Sequence, residues 1–390
     1  MDSLEKNDPY AAALPPIDKY RDMYNEAKSI RGISLWQDAW RRLRRDWVSM
    51  TALCFLVCLA LAAIFTPLLP LQSPREQYLA TRVALPPQFS STTKITNQAG
   101  DEETVPVSLN LADLEGEEFE RRVGELWSDP SPFDRGLLNV RLALFHDWCM
   151  PSLCGTDLLG RDLLARLFYG ARVSLIVGLV ATLVSLIIGV SYGAIAGYSG
   201  GIVDDFMMRI VDIMYSVPFI FLVLFVITIL SEDSVKAQLE SYGISRIVIL
   251  YILIGAVYWL TMARVVRGQI ISLKNEQFVD AARTIGASGL RIVFLHLVPN
   301  VLSIVIVYLT LTIPAVMLFE AFLSFLGLGV EPPDVSWGML SEEGTRVITP
   351  VKIYWWLIVF PALALASTLY SLNFLGDGLR DALDPRMKNR

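Results

Sequence analysis

The residues best suited to covalent or metal chemistry are four cysteines and two histidines. Cys54 and Cys58 fall inside an apolar run, where packing explains them, whereas His146, Cys149 and Cys154 lie close together in a polar stretch. A disulfide between Cys149 and Cys154 and two free thiols both remain open, because pairing depends on an oxidising compartment. Three candidate ligands without a fourth make a poor zinc site, so we predict no metal centre.

A catalytic centre is not indicated elsewhere. His146 and His296 both lie outside the apolar segments, and no nucleophile motif surrounds a serine or cysteine. The sequence also has no G-x-x-x-x-G-K-[ST] phosphate loop, so it is not expected to hydrolyse ATP itself. We therefore expect no catalytic residue and no cofactor bound by this chain.

Composition indicates a membrane protein. Apolar residues make up 54% of the chain and charged residues only 18%, whereas soluble proteins are about 25% charged. Because backbone polar groups cannot face lipid unpaired, apolar runs near 20 residues are predicted to be transmembrane helices. We predict an all-α polytopic membrane protein with six such helices, near 47–70, 173–197, 208–230, 246–264, 299–320 and 353–375. Pro218, Pro314 and Pro361 would kink three of them.

Arginines and lysines near the ends of these segments predict the orientation, since cytoplasmic loops are enriched in both. They concentrate before the first segment, between the fourth and fifth, and after the sixth. Both termini are therefore expected in the cytoplasm. No cleavable signal peptide is apparent, so the first apolar segment should remain as an anchor. The predicted regions are a cytoplasmic tail 1–46, transmembrane helix 47–70, an external insert 71–165, a core 166–375 with a cytoplasmic loop 265–298, and a cytoplasmic tail 376–390.

The tail before the first span carries a second membrane signal. Trp36, Trp40, Leu43 and Trp47 recur on one face of a helix, with arginines on the other. This pattern is typical of a helix lying on the inner leaflet in contact with lipid.

The external insert is acidic. Residues 101–129 contain ten acids against two arginines. Such a surface can steer cationic ligands or a partner. A solvated loop explains the same charge and is the simpler interpretation.

Charged residues within or beside the apolar segments are candidates for a transport path or for pairing. Asp212 follows Asp205 and Arg209 at helical spacing, which predicts a local ion-paired cluster. Glu320 has no partner nearby in sequence, so it is expected in the path, against a second subunit, or reaching toward the external interface. We expect a network of ion pairs on an external helix, formed by Arg161, Asp162, Arg166 and Arg172.

The loop 265–298 contains a short amphipathic pattern. Phe278, Ala281, Ala282 and Ile285 share one helical face. Asn275 is expected to cap the helix, with Glu276 at its positive end and Gly286 in its C-terminal turn. Small side chains in the stripe favour close docking onto another protein, although packing against the protein's own bundle would give the same pattern.

This loop resembles the "EAA" loop of ABC importer permeases, whose consensus is E-A-A-x-x-x-G followed after nine residues by I-x-L-P. The matching residues are Asp280, Ala281, Ala282, Gly286 and Pro299. Asp280 replaces Glu, His296 replaces Ile and Val298 replaces Leu. A histidine at that place, followed closely by Pro-Asn, is associated with the peptide-importer branch.

Other stretches support the resemblance and occur in the family's order over about 155–386. The most specific is similar to the family's GTDxxGRD element and comprises Gly155, Thr156, Asp157, Gly160, Arg161 and Asp162. Further matches are 170–175, 197–209, 324–329 and 376–385. The pre-membrane stretch 34–39 is similar to an oligopeptide permease that pairs with a second, different permease.

The resemblance implies a type I ABC importer permease fold in the cytoplasmic (inner) membrane of a bacterium. It implies oligopeptides as substrate, with dipeptides, nickel and glutathione as alternatives. The implied partners are a second homologous permease in a heterodimer, two cytoplasmic ATPase subunits that bind ATP and Mg²⁺, and an extracytoplasmic peptide-binding protein, but no nucleic acid. The residues implied in ATPase coupling are Phe278, Asp280, Ala281, Ala282, Ile285, Gly286 and Pro299.

A secondary transporter is the alternative from another class. Such a protein would place ion-coupling residues at mid-membrane and often shows internal repeats. The middles of the apolar segments here contain almost no acids, and no repeat is visible.

Overall fold

The computed structural model describes residues 35–90, 92–96, 102–127, 130–230, 232–242, 246–350 and 352–383. Most of the predicted tail 1–46, residues 384–390 of the predicted tail 376–390, and the side chain of Trp36 lie outside this description. The helices are α1 Leu35–Leu43, α2 Trp47–Ile64, α3 Gly116–Trp127, α4 Pro132–Phe145, α5 Leu163–Ser199, α6 Gly201–Ser216, α7 Phe219–Leu230, α8 Asp233–Ser241, α9 Arg246–Leu273, α10 Gln277–Thr284, α11 Val298–Phe325, α12 Trp337–Arg346 and α13 Trp355–Leu383.

Five continuous helices are long and apolar enough to cross a membrane, namely α2, α5, α9, α11 with the turns before it, and α13. The predicted third span 208–230 is not one helix, because α6 and α7 meet at a bend of 80°. Pro218 lies in the break, and the residue before it, Val217, is extended at φ −84° and ψ 120°. The proline ring disfavours a helical conformation at that preceding residue, which explains why α6 ends there.

Several helices extend beyond the predicted apolar cores. α5 has 37 residues, so at 1.5 Å per residue it is about 55 Å long, well over the roughly 30 Å of a bilayer core. Its first turns carry Arg166 and Arg172 and therefore project outside the apolar layer.

The most extensive packing of the bundle lies between α5 and α9. A Cβ added to Gly193 would lie 2.3 Å from the carbonyl oxygen of Ala263, and one added to Gly255 would lie 2.7 Å from that of Ala181. Membrane helices often associate through glycine and other small residues, because without a bulky side chain the two backbones can come close together. α2 and α11 pack against α5 as well, while among the spans α13 packs mainly on α2 and α11.

The predicted external insert is folded around a buried cluster of its own and is more than a solvated loop. Its helices α3 and α4 enclose a buried cluster. The cluster consists of Leu109, Leu111, Val123, Leu126, Trp127, Leu138 and Cys149. The insert also contains an antiparallel hairpin, β1 Thr92–Thr96 paired with β2 Glu102–Pro106, which departs from the all-α prediction. The membrane-spanning part is helical, as predicted.

Cys149 and Cys154 are free thiols in the structure, so the disulfide alternative is wrong. Cys149 lies in the insert cluster, whereas Cys154 packs with Trp337 and Trp356 on the bundle. Burial raises the pKa of Cys149 to about 11 and that of Cys154 to about 12. Such thiols are poor nucleophiles at neutral pH and act here as packing residues.

Candidate functional site

The first candidate site is the loop that carries α10. The residue before the helix is Glu276, with no side-chain capping bond, so the predicted cap by Asn275 is wrong. At the other end, Gly286 has φ +88°. The amide of Ala287 donates to the carbonyl of Ala282 at 3.0 Å, and the amide of Gly286 to that of Arg283 at 2.9 Å. These two bonds form a Schellman motif, which ends the helix sharply at the predicted glycine.

The predicted apolar stripe of α10 divides between two directions. Phe278, Ala281 and Ile285 are exposed, and Ile285 is 86% accessible. Ala282 is buried instead, together with Val279, so its predicted place on the outward face is wrong. Val279 and Ala282 are one helical turn apart and pack against Ile292 and Val293, which fixes the helix to the bundle. The sequence left two interpretations of this helix open, docking onto another protein and packing against the protein's own bundle. Both are partly right, because one face packs against the bundle and another face is exposed.

The chain after α10 also packs against the bundle on one side and exposes apolar side chains on the other. A π-helical turn, Ile292–Leu297, leads into α11, where the exposed Pro299 lies in the first turn. Leu290, Phe294 and Leu295 point outward with exposures of 65%, 46% and 57%. We define the coupling surface as the exposed residues Phe278, Asp280, Ala281, Ile285, Leu290, Phe294 and Leu295.

Contacts to the end of α5 hold this loop in place. Lys274 Nζ donates to the carbonyl of Gly197 at 3.0 Å, and the guanidinium of Arg283 lies 5.7 Å from the ring centre of Tyr198. These contacts link the loop that carries α10 to the end of α5.

The second candidate site is the motif 155–162, which forms a tight turn between the insert and α5. Gly155 and Gly160 have φ values of +81° and +75°, and a Cβ on either would lie 2.6 Å from a backbone oxygen of the insert. Thr156 Oγ1 donates to the carbonyl of Arg82 at 2.5 Å and accepts from the amide of Leu85 at 2.9 Å. The motif therefore closes the insert onto the bundle.

Asp157 is the charged centre of this turn. Its carboxylate accepts from the amides of Leu159 and Arg161, from Arg161 Nε at 2.6 Å and from Arg166 Nη1 at 2.7 Å. Arg166 also donates to Glu343 on α12, with Nη2 at 3.0 Å. Burial disfavours the Glu343 carboxylate, but the hydrogen bonds and charges of Arg166 and Arg161 outweigh it and lower its pKa.

The predicted arginine network is real, but most of its acceptors differ from those expected. Asp162 caps α5 by accepting from the amide of Ala165 at 2.8 Å and makes no described bond to Arg161. Arg172 pairs instead with Asp134 of the insert at 2.8 Å. Glu343 and Asp134 could not be identified from sequence, because they lie far from the arginines in the chain and no local spacing links them.

Asp162 is buried at the joint between the insert and α5. Burial is the main reason that its pKa is raised to about 6, against the opposing effects of the Ala165 amide, Ser152 and Arg82. This carboxyl therefore titrates near pH 6, well above the usual range of an aspartate.

The acids within or beside the apolar segments have partners that the sequence did not predict. Asp212 accepts from Arg264 Nη2 at 2.6 Å rather than from Arg209. Asp204 accepts two bonds from Arg267, at 2.6 and 2.7 Å. Glu320 is only 1% exposed and accepts from Ser324 Oγ at 2.7 Å, so the three exposed positions expected for it are wrong.

No metal site is evident in the described residues, which hold no group of three or more His, Cys, Asp or Glu arranged around a common point.

Comparison with protein families gives two matches. Residues 189–389 match the family described as "Binding-protein-dependent transport system inner membrane component". Residues 34–87 match the family described as "N-terminal TM domain of oligopeptide transport permease C".

Curated proteins similar to this chain have names consistent with these families. The "Oligopeptide transport system permease protein OppC" of Escherichia coli (strain K12) is 36% identical over 93% of this chain and 95% of its own length. The protein of the same name from Bacillus subtilis (strain 168) is 34% identical over 100% of both chains. The "Dipeptide transport system permease protein DppC" of that strain is 34% identical over 93% of this chain and 90% of its own.

Among solved structures, inward-facing MetNI, a methionine ABC transporter, is similar with a TM-score of 0.44 and 20% identity over 57% of this chain and 98% of that chain.

Proposed function

Because the chain belongs to the family of binding-protein-dependent transport system inner membrane components, we propose that it is a permease subunit of an ATP-driven importer of oligopeptides. The relatives of nearly full coverage named as oligopeptide permeases support this substrate. Dipeptides are the second candidate, since one relative of similar identity and coverage is named for them.

The coupling surface is the observation that carries the proposal. Its helix is held rigidly, with Val279 wholly buried and Gly286 closing the C-terminal turn, while Ile285 stands 86% exposed. A rigid helix at the end of the long apolar spans, with outward apolar side chains, suits docking into a groove of another protein. We assign that groove to a separate ATPase subunit that binds ATP and Mg²⁺.

In this assignment the chain itself performs no catalysis. Its sequence has no phosphate loop, and its part is to form one side of the path and to receive force at the coupling surface. The complete importer would contain a second, homologous permease, two ATPases and an extracytoplasmic peptide-binding protein. The chain would lie in the inner membrane of a bacterium with both termini in the cytoplasm and the insert outside.

The proposal is tested by replacing the most exposed apolar residue of α10 with a charge. Ile285→Asp should insert and pair with the second permease normally, yet fail to retain the ATPase subunits during purification. Leu79→Asp is the matched control, because Leu79 is 61% exposed on the external insert, away from the coupling surface. Retention of the ATPases by the Ile285 variant at the level of the control would contradict the proposed docking site.

A further inference from the structure

A cavity of about 220 Å³ lies where the insert meets the helical bundle. Its walls come from the insert, from the first turns of α5 and from the loop between α11 and α12. Pockets for drug-sized molecules measure about 300–1,000 Å³, so this cavity suits a smaller ligand.

Two hydrogen-bond donors that line the cavity have no acceptor within the described residues. The Tyr169 hydroxyl is buried, and no group there accepts its proton. The half-buried guanidinium of Arg75 makes no hydrogen bond or ion pair in that part of the chain either. By contrast, Arg172 and Asp134, which also line the cavity, are paired at 2.8 Å. Because buried donors in proteins are nearly always satisfied, Tyr169 and Arg75 together indicate an acceptor supplied by a ligand, for which a carboxylate is well suited.

Asp334 adds a negative charge to the same cavity. It lies in the loop between α11 and α12 and is exposed, which puts it at the open side. Partial burial raises the pKa of its carboxyl, the charge of Arg75 opposes this effect, and no hydrogen bond from the described residues contributes. The two charges therefore lie near one another without forming an ion pair. Asp334 is thus available to accept from a cation such as an ammonium group.

Apolar side chains line the cavity beside these charges. Trp127 and Leu138 come from the buried cluster of the insert. Val173 lies on α5, and Val335 comes from the loop between α11 and α12. A ligand with an apolar side chain would bury it against this wall, which is favourable because apolar surface leaves water.

We infer that the cavity binds a small zwitterion, either a free amino acid or a dipeptide, with an apolar side chain. Its carboxylate accepts from Arg75 and Tyr169, its ammonium group donates to Asp334, and its side chain packs against Trp127. Because these residues belong partly to the insert and partly to the bundle, the bound ligand holds the two together. Binding of this kind goes beyond the proposed transport function and does not depend on what the chain transports.

The first test is equilibrium dialysis with radiolabelled leucine and with radiolabelled Ala-Leu. It uses the full-length chain, purified with the subunits that accompany it and without a peptide-binding protein. At least one of the two ligands should bind saturably, at one site per chain. Arg75→Gln and Asp334→Asn should each raise its Kd about tenfold, the effect of losing a charge-assisted hydrogen bond.

Arg121→Gln is the control, because Arg121 is an exposed arginine of α3 outside the cavity. If neither ligand binds saturably, the cavity holds water only and the inference is wrong. If the Arg75 and Asp334 variants bind as tightly as the control, the ligand occupies another site and the inference is equally wrong.

The second test changes the ligand, so it does not depend on a variant folding. Amidation removes the carboxylate, N-acetylation removes the ammonium charge, and replacing leucine by glycine removes the apolar side chain. Each change should weaken competition with the labelled ligand about tenfold. An amidated or N-acetylated ligand that competes as well as the free one would overturn the inference.

Tyr169→Phe joins the two tests. It should weaken binding of the free ligand but should not weaken binding of the amidated ligand further, because the hydroxyl and the carboxylate act on each other. Equal losses for both ligands would show that the hydroxyl does not contact the carboxylate.

Discussion

At the scale of single residues, the glycine that ends α10 and the buried carboxylates of the motif 155–162 give the sharpest predictions. Gly286 has φ +88°, and nothing lies within 4 Å of where its Cβ would be. Its conformation costs a residue with a side chain about 1–2 kcal/mol, and a long side chain there would project from the coupling surface.

We therefore expect Gly286→Arg to abolish peptide uptake while leaving membrane insertion intact. Gly286→Asn is the control, because asparagine adopts the left-handed conformation more readily and is short. Uptake and the amount of inserted protein are measured in parallel. Full uptake by the arginine variant would show that the turn has no part in coupling.

Asp157 is expected to be the most costly residue of the motif 155–162 to change. Its side chain is 7% exposed, and that of Arg166 beside it is 1% exposed. Asp157→Asn removes the negative charge that pairs with Arg161 and Arg166. Because these buried arginines lose part of their charge compensation, it should lower the free energy of unfolding by about 3 kcal/mol. Asp134→Asn, in the more exposed pair with Arg172, should cost less when thermal unfolding is compared in detergent. Equal losses would indicate that burial does not decide the effect.

Asp162 should make stability depend on pH. Because its folded pKa is raised from 3.8 to about 6, the folded state binds more protons than the unfolded state between these values. Its contribution is fully present below about pH 4 and is lost as pH rises through 6. Asp162→Asn keeps the helix cap and should flatten this dependence in thermal unfolding. A variant with the same pH profile as the unmodified protein would assign the dependence to other groups.

At the scale of helices, the sequence predicted those features that local rules control. Apolar runs reveal spans because bilayer thickness sets their length, and Gly286 was placed correctly because a helix end needs a left-handed residue. The orientation of Ala282 was not predictable, since its inward packing depends on Ile292 and Val293 of a separate turn. For the same reason the partners Glu343 and Arg264 were missed: they meet Arg166 and Asp212 only through tertiary contacts.

The packing of α5 on α9 gives a prediction at this scale. Gly193→Ala would place a Cβ 2.3 Å from the carbonyl oxygen of Ala263 and force the two helices apart. Overpacking of this kind costs about 1–3 kcal/mol, so the melting temperature in detergent should fall. Gly268→Ala is the matched control on α9, because nothing lies within 4 Å of its Cβ position. If both variants melt at the same temperature, the close approach of the helices is not required.

At the scale of the whole molecule, the described structure divides into a folded external insert, a helical bundle and a coupling surface. The motif 155–162 joins the insert to α5, and Lys274 and Arg283 join the loop of α10 to the other end of α5. One long helix thus connects the external unit with the site where force would be applied. This arrangement fits a subunit that converts docking at one end into opening or closing at the other.

The source of energy distinguishes this account from its main alternative. The most direct measurement is uptake of a labelled oligopeptide by vesicles containing this chain, its second permease, the two ATPases and the binding protein. We predict uptake that requires internal ATP and the binding protein, that is lost with Ile285→Asp and retained with Leu79→Asp, and that persists when an ionophore removes ion gradients. Uptake that continues without ATP and stops with the ionophore would contradict the account and indicate a secondary transporter.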